Sequence, residues 1–277
     1  ARREADYCLL CMDNLGYQVP YGDTGSFKCW FSEVPLLRRA AWYYATHGNE
    51  EARKWAAGYQ WALARKSEVT DIQNLNQYAR ELPAEPPTGL LGVRAWPVDP
   101  MYYNTMTADP RPPLEKCVDK VVMRASFDAE KQYLLLDGLS NGGHKHYDGN
   151  TISRITDRER IWLADNDYYK AQPKFHNGVL IFKDGQSQKI PDYCELEYVG
   201  DLPSGGFSRT VVRDYAGVDW HRSILWEKEK YFAVVDEMVA KEPSDYSFHT
   251  KWHTIGEPTL RDDGIGVEQQ GKRFFFK

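Results

Sequence analysis

The chain has 277 residues, of which 42% are hydrophobic and 27% charged, and a formal net charge of −5. These proportions suit a soluble globular protein with a sizeable core and more than one structural unit. The mild acidity argues against nucleic acid or an anionic membrane as the main partner, and no run approaches the roughly 18 apolar residues that a membrane-spanning helix needs.

In chain order, the sequence opens in Ala1-Arg2-Arg3-Glu4-Ala5-Asp6-Tyr7, with no initiator Met and no leader pattern, so a processed protein or a piece of a longer one is expected. Residues 3–80 read as helical. Tyr7, Leu10, Cys11 and Leu15 recur at helical spacing, and Ser32-Glu33-Val34-Pro35 signals a helix from Leu36 to Thr46, closed by His47-Gly48. Asn49-Glu50-Glu51 starts another helix through about Lys66, and a weaker one covers Val69 to Arg80. Helices paired through short loops suggest part of an α/α bundle, solenoid or toroid over residues 1–82.

Residues 83–116 hold eight of the fifteen prolines, in Pro83, Pro86-Pro87, Pro97, Pro100, Pro110 and Pro112-Pro113. That density excludes a continuing helix and predicts an extended linker. From 117 to 277 short alternating runs separated by turn residues predict an antiparallel β-sandwich, with strands near 121–126, 132–136, 151–156, 160–165, 178–183, 206–214, 219–228, 230–239 and 246–254. The final Arg273-Phe274-Phe275-Phe276-Lys277 ends within an apparent strand, which suggests truncation there too. The fold class is α+β: helices first, then antiparallel sheet.

Five cysteines, Cys8, Cys11, Cys29, Cys117 and Cys194, are odd in number and scattered. Cys8-x-x-Cys11 has metal-like spacing but no second pair, so buried helical cysteines are the better reading, and the compartment stays open. Core packing explains most of the nine Trp and eighteen Tyr, and the excess would also suit a sugar-binding cleft.

The chemistry concentrates in Gly143-His144-Lys145-His146-Tyr147-Asp148, Leu163-Ala164-Asp165 and Lys174-Phe175-His176-Asn177, which hold three of only seven histidines. Neutral imidazoles and a carboxylate form good ligand chemistry for a zinc-type ion, with a position left for water or substrate. In a strand, His144 and His146 share a face while Lys145 points away. Asp148 either orients His146 or caps the following turn. Asp167 competes with Asp165, Asn177 either holds the His176 turn or contacts substrate, and His249, His253 and His221 read as structural.

A helical start, a proline-rich crossing and a sheet opening on this histidine motif resemble the heparinase II/III-like polysaccharide lyases. The local matches are Val122-Met123-Arg124-Ala125-Ser126-Phe127, then Gly142 to Asn150, then Trp162-Leu163-Ala164-Asp165. Phe175-His176-Asn177-Gly178-Val179 leading to Asp184-Gly185-Gln186 completes them, with Pro20-Tyr21-Gly22-Asp23 upstream. The resemblance implies an incomplete α/α toroid packed on antiparallel sheets. It implies His146, Asp165 and His176 as ligands of Zn2+ or another divalent ion, with His144 facing a substrate uronate. Lys170 would bind the carboxylate, and Tyr168, Tyr169 and Asn177 would line the cleft.

The implied activity is a carbon–oxygen lyase that cleaves uronate-containing polysaccharides by β-elimination. That reaction needs a base at C5, neutralisation of enolate-like charge and a proton for the leaving oxygen. The family's Glu/Gly-rich setting for a catalytic tyrosine is not evident in this sequence. The tyrosine is therefore expected upstream of residue 1, with Tyr21 and Tyr147 as substitutes. The resemblance further implies an anionic polysaccharide partner and a periplasmic or secreted location; a homodimer is an open expectation. Two alternatives remain: a uronyl C5-epimerase of the same fold, and a non-catalytic carbohydrate-binding protein with a structural metal.

Overall fold

A computed structural model of the chain describes residues 2–22, 34–70, 82–105, 111–140, 146–165 and 170–277. The first helix, α1 (Arg2–Leu10), buries Ala5, Cys8 and Leu9 at helical spacing against α2 (Val34–His47) and α3 (Glu50–Thr70). Pro35 stands in the first turn of α2, where its missing N–H costs nothing. Asn49 caps α3, its side-chain oxygen accepting from the Ala52 N–H at 2.9 Å. Val34, Leu37, Ala40 and Ala41 of α2 meet Tyr59, Ala62 and Leu63 of α3 in one small core. Cys8 and Cys11 are both buried in apolar surroundings. The weaker helix expected from Val69 to Arg80 falls mostly on 71–81, outside the described residues.

The proline-rich stretch is not a linker throughout. Within it, β1 (Gly92–Pro97) pairs antiparallel with β2 (Cys117–Arg124), and α4 (Pro100–Thr105) follows. Pro97 sits at the end of β1 beside a register shift, where it displaces no ladder bond.

The remaining strands are β3 (Tyr133–Asp137), β4 (Thr151–Asp157), β5 (Arg160–Ala164), β6 (Val179–Lys183), β7 (Gln186–Ser187), β8 (Cys194–Asp201), β9 (Gly205–Tyr215), β10 (Val218–Glu227) and β11 (Tyr231–Ala240). They are followed by β12 (Tyr246–Thr250), β13 (Glu257–Arg261), β14 (Gly264–Gln269) and β15 (Lys272–Phe276). Nine of them form one antiparallel sheet in the order β11-β10-β9-β8-β2-β3-β4-β5, with β1 beside β2. Two three-stranded sheets, β12-β6-β7 and β13-β14-β15, complete the set. Val179 and Ile181 of β6 and Val267 of β14 join Val121, Met123, Leu134, Leu136, Ile155, Trp162, Ile224 and Trp226 in the main core, which lies between the large sheet and the small ones. The strands at 194–201 and 257–269 were not expected from the sequence pattern.

Alternation along β2 and β3 sends the other set of side chains outward, and that set is partly charged. Lys120, Val122, Arg124, Tyr133, Leu135 and Asp137, with Arg154 of β4, are all buried on this second face. Residues 2–22 cover them. Arg124 donates to the carbonyls of Leu9 (3.2 Å), Leu10 (3.2 Å) and Met12 (2.6 Å) and to Asn14 Oδ1 (2.6 Å). Its guanidinium thereby satisfies carbonyls that the end of α1 leaves open and opposes the negative end of the helix dipole. Tyr133 adds a bond from its hydroxyl to the Leu10 carbonyl at 2.9 Å. Fully buried Arg154 stands 3.4 Å from Asp13.

Arg124→Met keeps the bulk but withdraws these donors, and should lower the unfolding free energy by about 3 kcal/mol in a urea titration. Lys54→Ala, which removes an exposed pair with Glu50, should change it by no more than about 0.5 kcal/mol. Equal small effects would mean that the Arg124 contacts contribute nothing to holding α1 on the sheet.

Candidate functional site

Three short irregular segments meet at one end of β3, β4 and β5. The first, 146–150, leads into β4 through the turn at Gly149-Asn150; the second is the residue after β5; the third is the single 3-10 turn Pro173–Phe175 and its C-cap, His176. Two close approaches fix the first and third. A Cβ on Gly149 would meet Ser140 Oγ at 2.5 Å, and one on Gly178 would meet Thr151 Cγ2 at 2.8 Å. The turn oxygen of Ser140 accepts from the Gly149 N–H at 2.7 Å.

The strand geometry expected at the histidine motif does not hold from 146 onward. Tyr147 and Asn150 take left-handed backbone conformations, φ 55° and 64°, so simple face alternation is interrupted there. The consequence falls on Asp148. One ligand atom each from Asp148, Asp165 and His176 lies within 4.8 Å of the others, and all three residues are buried. His176 and Asp165 touch directly, Nδ1 to Oδ1 at 2.7 Å. His146 is also buried, its ring centroid 6.2 Å from that of His176. The structure thus places Asp148, not His146, within ligand range of Asp165 and His176, with the His146 ring alongside. The sequence signal for Asp148 was its place in the histidine motif, but the roles expected of it were orienting His146 or capping the following turn.

Each member is held by a different backbone bond. The Asp165 N–H donates to the Ser153 carbonyl at 2.8 Å, and the His176 N–H to the Pro173 carbonyl at 3.2 Å. Asp148 Oδ2 accepts from the Gly22 N–H at 2.6 Å, a contact across 126 residues that ties the N-terminal segment to the cluster.

Burial alone would push the His176 imidazolium down, but the Asp165 carboxylate, the bond to it, Asp148 and the His146 carbonyl together raise its pKa to about 9. Asp148 is pushed up by burial, against the pull of His176, and Asp165 pushes it up further. Two carboxylates and an imidazole packed this tightly favour a shared cation. Among the described residues, Asp148 Oδ1 and His176 Nε2 are buried without a hydrogen-bond partner. Such atoms are costly unless something fills the gap between them. A zinc-type ion fits that donor set.

The other sequence candidates divide. His144, Tyr168, Tyr169 and the competing Asp167 lie outside the described residues. Tyr21 is half-buried beside the cluster's Gly22 contact, with Lys120 Nζ 4.0 Å from its ring centroid. Tyr147 is half-buried against the main core, and Lys189 Nζ stands 4.6 Å from its ring. Lys170 and Lys174 flank Phe175, at 5.8 and 4.9 Å from the ring, on the turn that carries His176.

Of the two roles left open for Asn177, the structure shows the one that holds the His176 turn. The residue is fully buried, and its amide donates to the Ile152 (2.9 Å) and Ala164 (3.1 Å) carbonyls while its oxygen accepts from the His253 N–H. With both ends of the amide committed to backbone, it holds the His176 turn between β4 and β5. His253, read from sequence as structural, is half-buried near the cluster. Burial lowers its pKa, against the pull of Asp165, and its Nε2 has no hydrogen-bond partner among the described residues. His249 packs on Phe182, and His221 pairs with Glu197 at 3.1 Å on the outer face of the large sheet.

No protein-family model matches the sequence, and no curated protein is detectably similar to it in sequence. Solved structures do match in fold. The crystal structure of heparan sulfate lyase HepC from Pedobacter heparinus aligns with a TM-score of 0.62 at 12% identity, covering 96% of this chain and 37% of that one. A mutant of that enzyme gives 0.63 at 11% identity, with 95% and 36% covered. A heparinase III structure gives 0.61 at 10%, with 97% and 39% covered. The chain therefore spans a little over a third of these proteins' length, and over that span it has the heparinase III-type fold. The resemblance carried by the motifs is matched by the architecture.

The raised pKa of His176 makes metal-free stability depend on pH. A proton held more tightly in the folded state stabilises fully below the ordinary value of 6.5 and is lost as pH rises through about 9. Metal-free protein should thus lose on the order of 3 kcal/mol between pH 6 and 10 from this group, and Asp165→Asn should flatten that slope in chemical denaturation series. An unchanged slope in the variant would show that Asp165 does not hold the proton on His176.

Proposed function

We propose that the chain is part of a polysaccharide lyase that cleaves uronate-containing glycans by β-elimination. The observation that carries this reading is the buried Asp148/Asp165/His176 cluster, with His146 beside it, on a fold shared with heparan sulfate lyases. In this reading His146, Asp165 and His176 hold a zinc-type ion, and Asp148 is a further candidate donor. When bound, the ion would neutralise the cluster's carboxylates and add positive charge to the site.

The chain's own residues would do the rest. The substrate carboxylate is an anion, and Lys170, Lys174 and His144 supply cationic or donor groups on the segments that carry the cluster. Removal of the C5 proton needs a base in contact with it, and the departing C4 oxygen needs an acid. A tyrosine serves both needs once its proton is lost and regained. Tyr21 and Tyr147 are the candidates within this chain, and a tyrosine in the longer protein is the third. Tyr168 and Tyr169 would stack on sugar rings. Helices α1 to α3 would belong to an α/α toroid, with the substrate between it and the large sheet.

No helix among the described residues is long and apolar enough to cross a membrane. A periplasmic or secreted enzyme acting on an acidic polysaccharide is consistent with that and forms part of the proposal.

The test is a substrate screen on the full-length protein against heparan sulfate, chondroitin sulfate, alginate and ulvan, following the ultraviolet absorbance of the unsaturated uronate. One substrate should give rising absorbance, and His146→Ala should reduce the rate by at least the ~10- to 100-fold that loss of a ligand's supporting partner costs. Exchange of solvent deuterium into C5 without chain scission would replace the lyase with an epimerase. Binding without turnover or exchange would reduce the protein to a carbohydrate-binding module.

A further inference from the structure

Strand alternation on β10 turns Trp220, Arg222, Ile224 and Trp226 into the main core. Three of these are apolar, whereas Arg222 is a fully buried cation. A charge in that position is tolerated only with a partner and with its donors used. Directly across the ladder on β11 stands Asp236. It takes Arg222 Nε at 2.8 Å and Nη2 at 3.0 Å, a two-bond fork, and Trp220 Nε1 at 2.8 Å. The guanidinium lies 4.8 Å from the Trp220 ring and 5.5 Å from the Trp252 ring. Its position is therefore set on three sides.

The remaining nitrogen points at the site. Arg222 Nη1 donates to the Asn150 carbonyl at 2.9 Å and to the Asn177 carbonyl at 3.0 Å. Asn150 is two residues after Asp148, and Asn177 is the residue after His176. These two carbonyls belong to separate irregular segments that no strand ladder joins. The Asn177 carbonyl takes a second bond, from the Ile152 N–H at 3.0 Å. Asn150, in its left-handed conformation, is pinned from the other side by Thr210 Oγ1 at 2.6 Å. One nitrogen thus bridges the segment that carries Asp148 and the turn that carries His176.

We infer that Arg222, anchored by Asp236, is a positioning residue that sets the separation of Asp148 and His176 for a bound divalent cation. The inference rests on reading the cluster as a metal site. Lysine cannot reproduce the arrangement: its single ammonium lacks the planar fork that holds Asp236 with one edge and two carbonyls with the other. Asp236, on the edge strand of the large sheet, reaches the two carbonyls through Arg222, so the two residues should act as a unit.

The experiment measures Zn2+ affinity by chelator competition and the visible absorption of Co2+-substituted protein. It compares the parent, Arg222→Lys, Asp236→Asn and, as a core control on the same strand, Trp226→Phe, with thermal unfolding recorded for each. Arg222→Lys and Asp236→Asn should weaken Zn2+ binding about 10- to 100-fold and shift the Co2+ bands. Trp226→Phe should lower the melting temperature while leaving both metal readouts at parent values. Asp236→Asn retains the arginine but loosens its anchor, and provides a second comparison if Arg222→Lys does not accumulate. Parent-like affinity and spectrum in whichever of the two variants folds would overturn the positioning role and leave the metal site standing. Failure of the parent itself to bind Zn2+ or Co2+ would overturn the metal reading and the inference with it. Affinity that falls in all three variants in proportion to melting temperature would assign Arg222 to stability alone.

Discussion

The contact on which the architecture depends is that of Arg124 with the end of α1. A sheet that buries both faces usually carries apolar residues on each. Here the second face of β2 to β4 carries Lys120, Arg124, Arg154 and Asp137, all buried. Such a face is stable only beneath a cover that offers acceptors in the right places. Residues 2–22 provide them as the Leu9, Leu10 and Met12 carbonyls, Asn14 and Asp13. Burial draws the Arg124 pKa down to about 10, still high enough to keep it charged at neutral pH. The same cover, continuing past Tyr21, delivers the Gly22 N–H to Asp148. Fold and site are therefore joined through one polar interface.

A second feature follows from that layout. Charge runs from the interface into the cluster. Lys120 lies between Asp119 at 2.6 Å and Asp137 at 2.9 Å, and both carboxylates hold its proton more firmly than burial loosens it. Asp137 is pushed up by burial and by Asp148, which itself faces His176 and Asp165. The cluster is thus the end of a buried series of charged groups. Its members sit on turns, where side chains can converge from three directions, while the strands behind them supply rigidity. Arg222 and Asn177 bind the backs of those turns, one through a guanidinium and the other through an amide.

Much of this was legible in the sequence. Period-two alternation located most strands of the large sheet, and helical spacing located α1 to α3. Three histidines and Asp165 in a short span marked the site, and the structure sets Asp165 and His176 within ligand range of Asp148, with the His146 ring 6.2 Å from that of His176. The misreadings have physical causes. Proline density predicted a linker where β1 lies, because a strand needs only a few free N–H groups, and Gly92 to Trp96 have them. Face alternation was assumed through the histidine motif, but a left-handed Tyr147 breaks it, and no local pattern announces that conformation for a tyrosine. For Asn177 the sequence left a turn-holding and a substrate-contacting role open, because its neighbours along the chain are functional. Its amide bonds to β4, β5 and the segment after β12, partners that lie up to 76 residues away.

The sequence by itself determined the order of helical and β segments, the identity of the titratable groups and the chemistry they support, since these follow from local spacing and side-chain type. Only the tertiary structure decided which carboxylate joins His176 within ligand range, which face of the sheet is buried beneath the helices, and that Arg222 spans two turns. Those outcomes depend on contacts such as Gly22 with Asp148 and Arg222 with Asn150 and Asn177, which are 126, 72 and 45 residues apart along the chain. Spacing constrains neighbours a few residues away through helix and strand periodicity. It carries no information across such separations, where packing and the cost of unsatisfied buried charge select the partner.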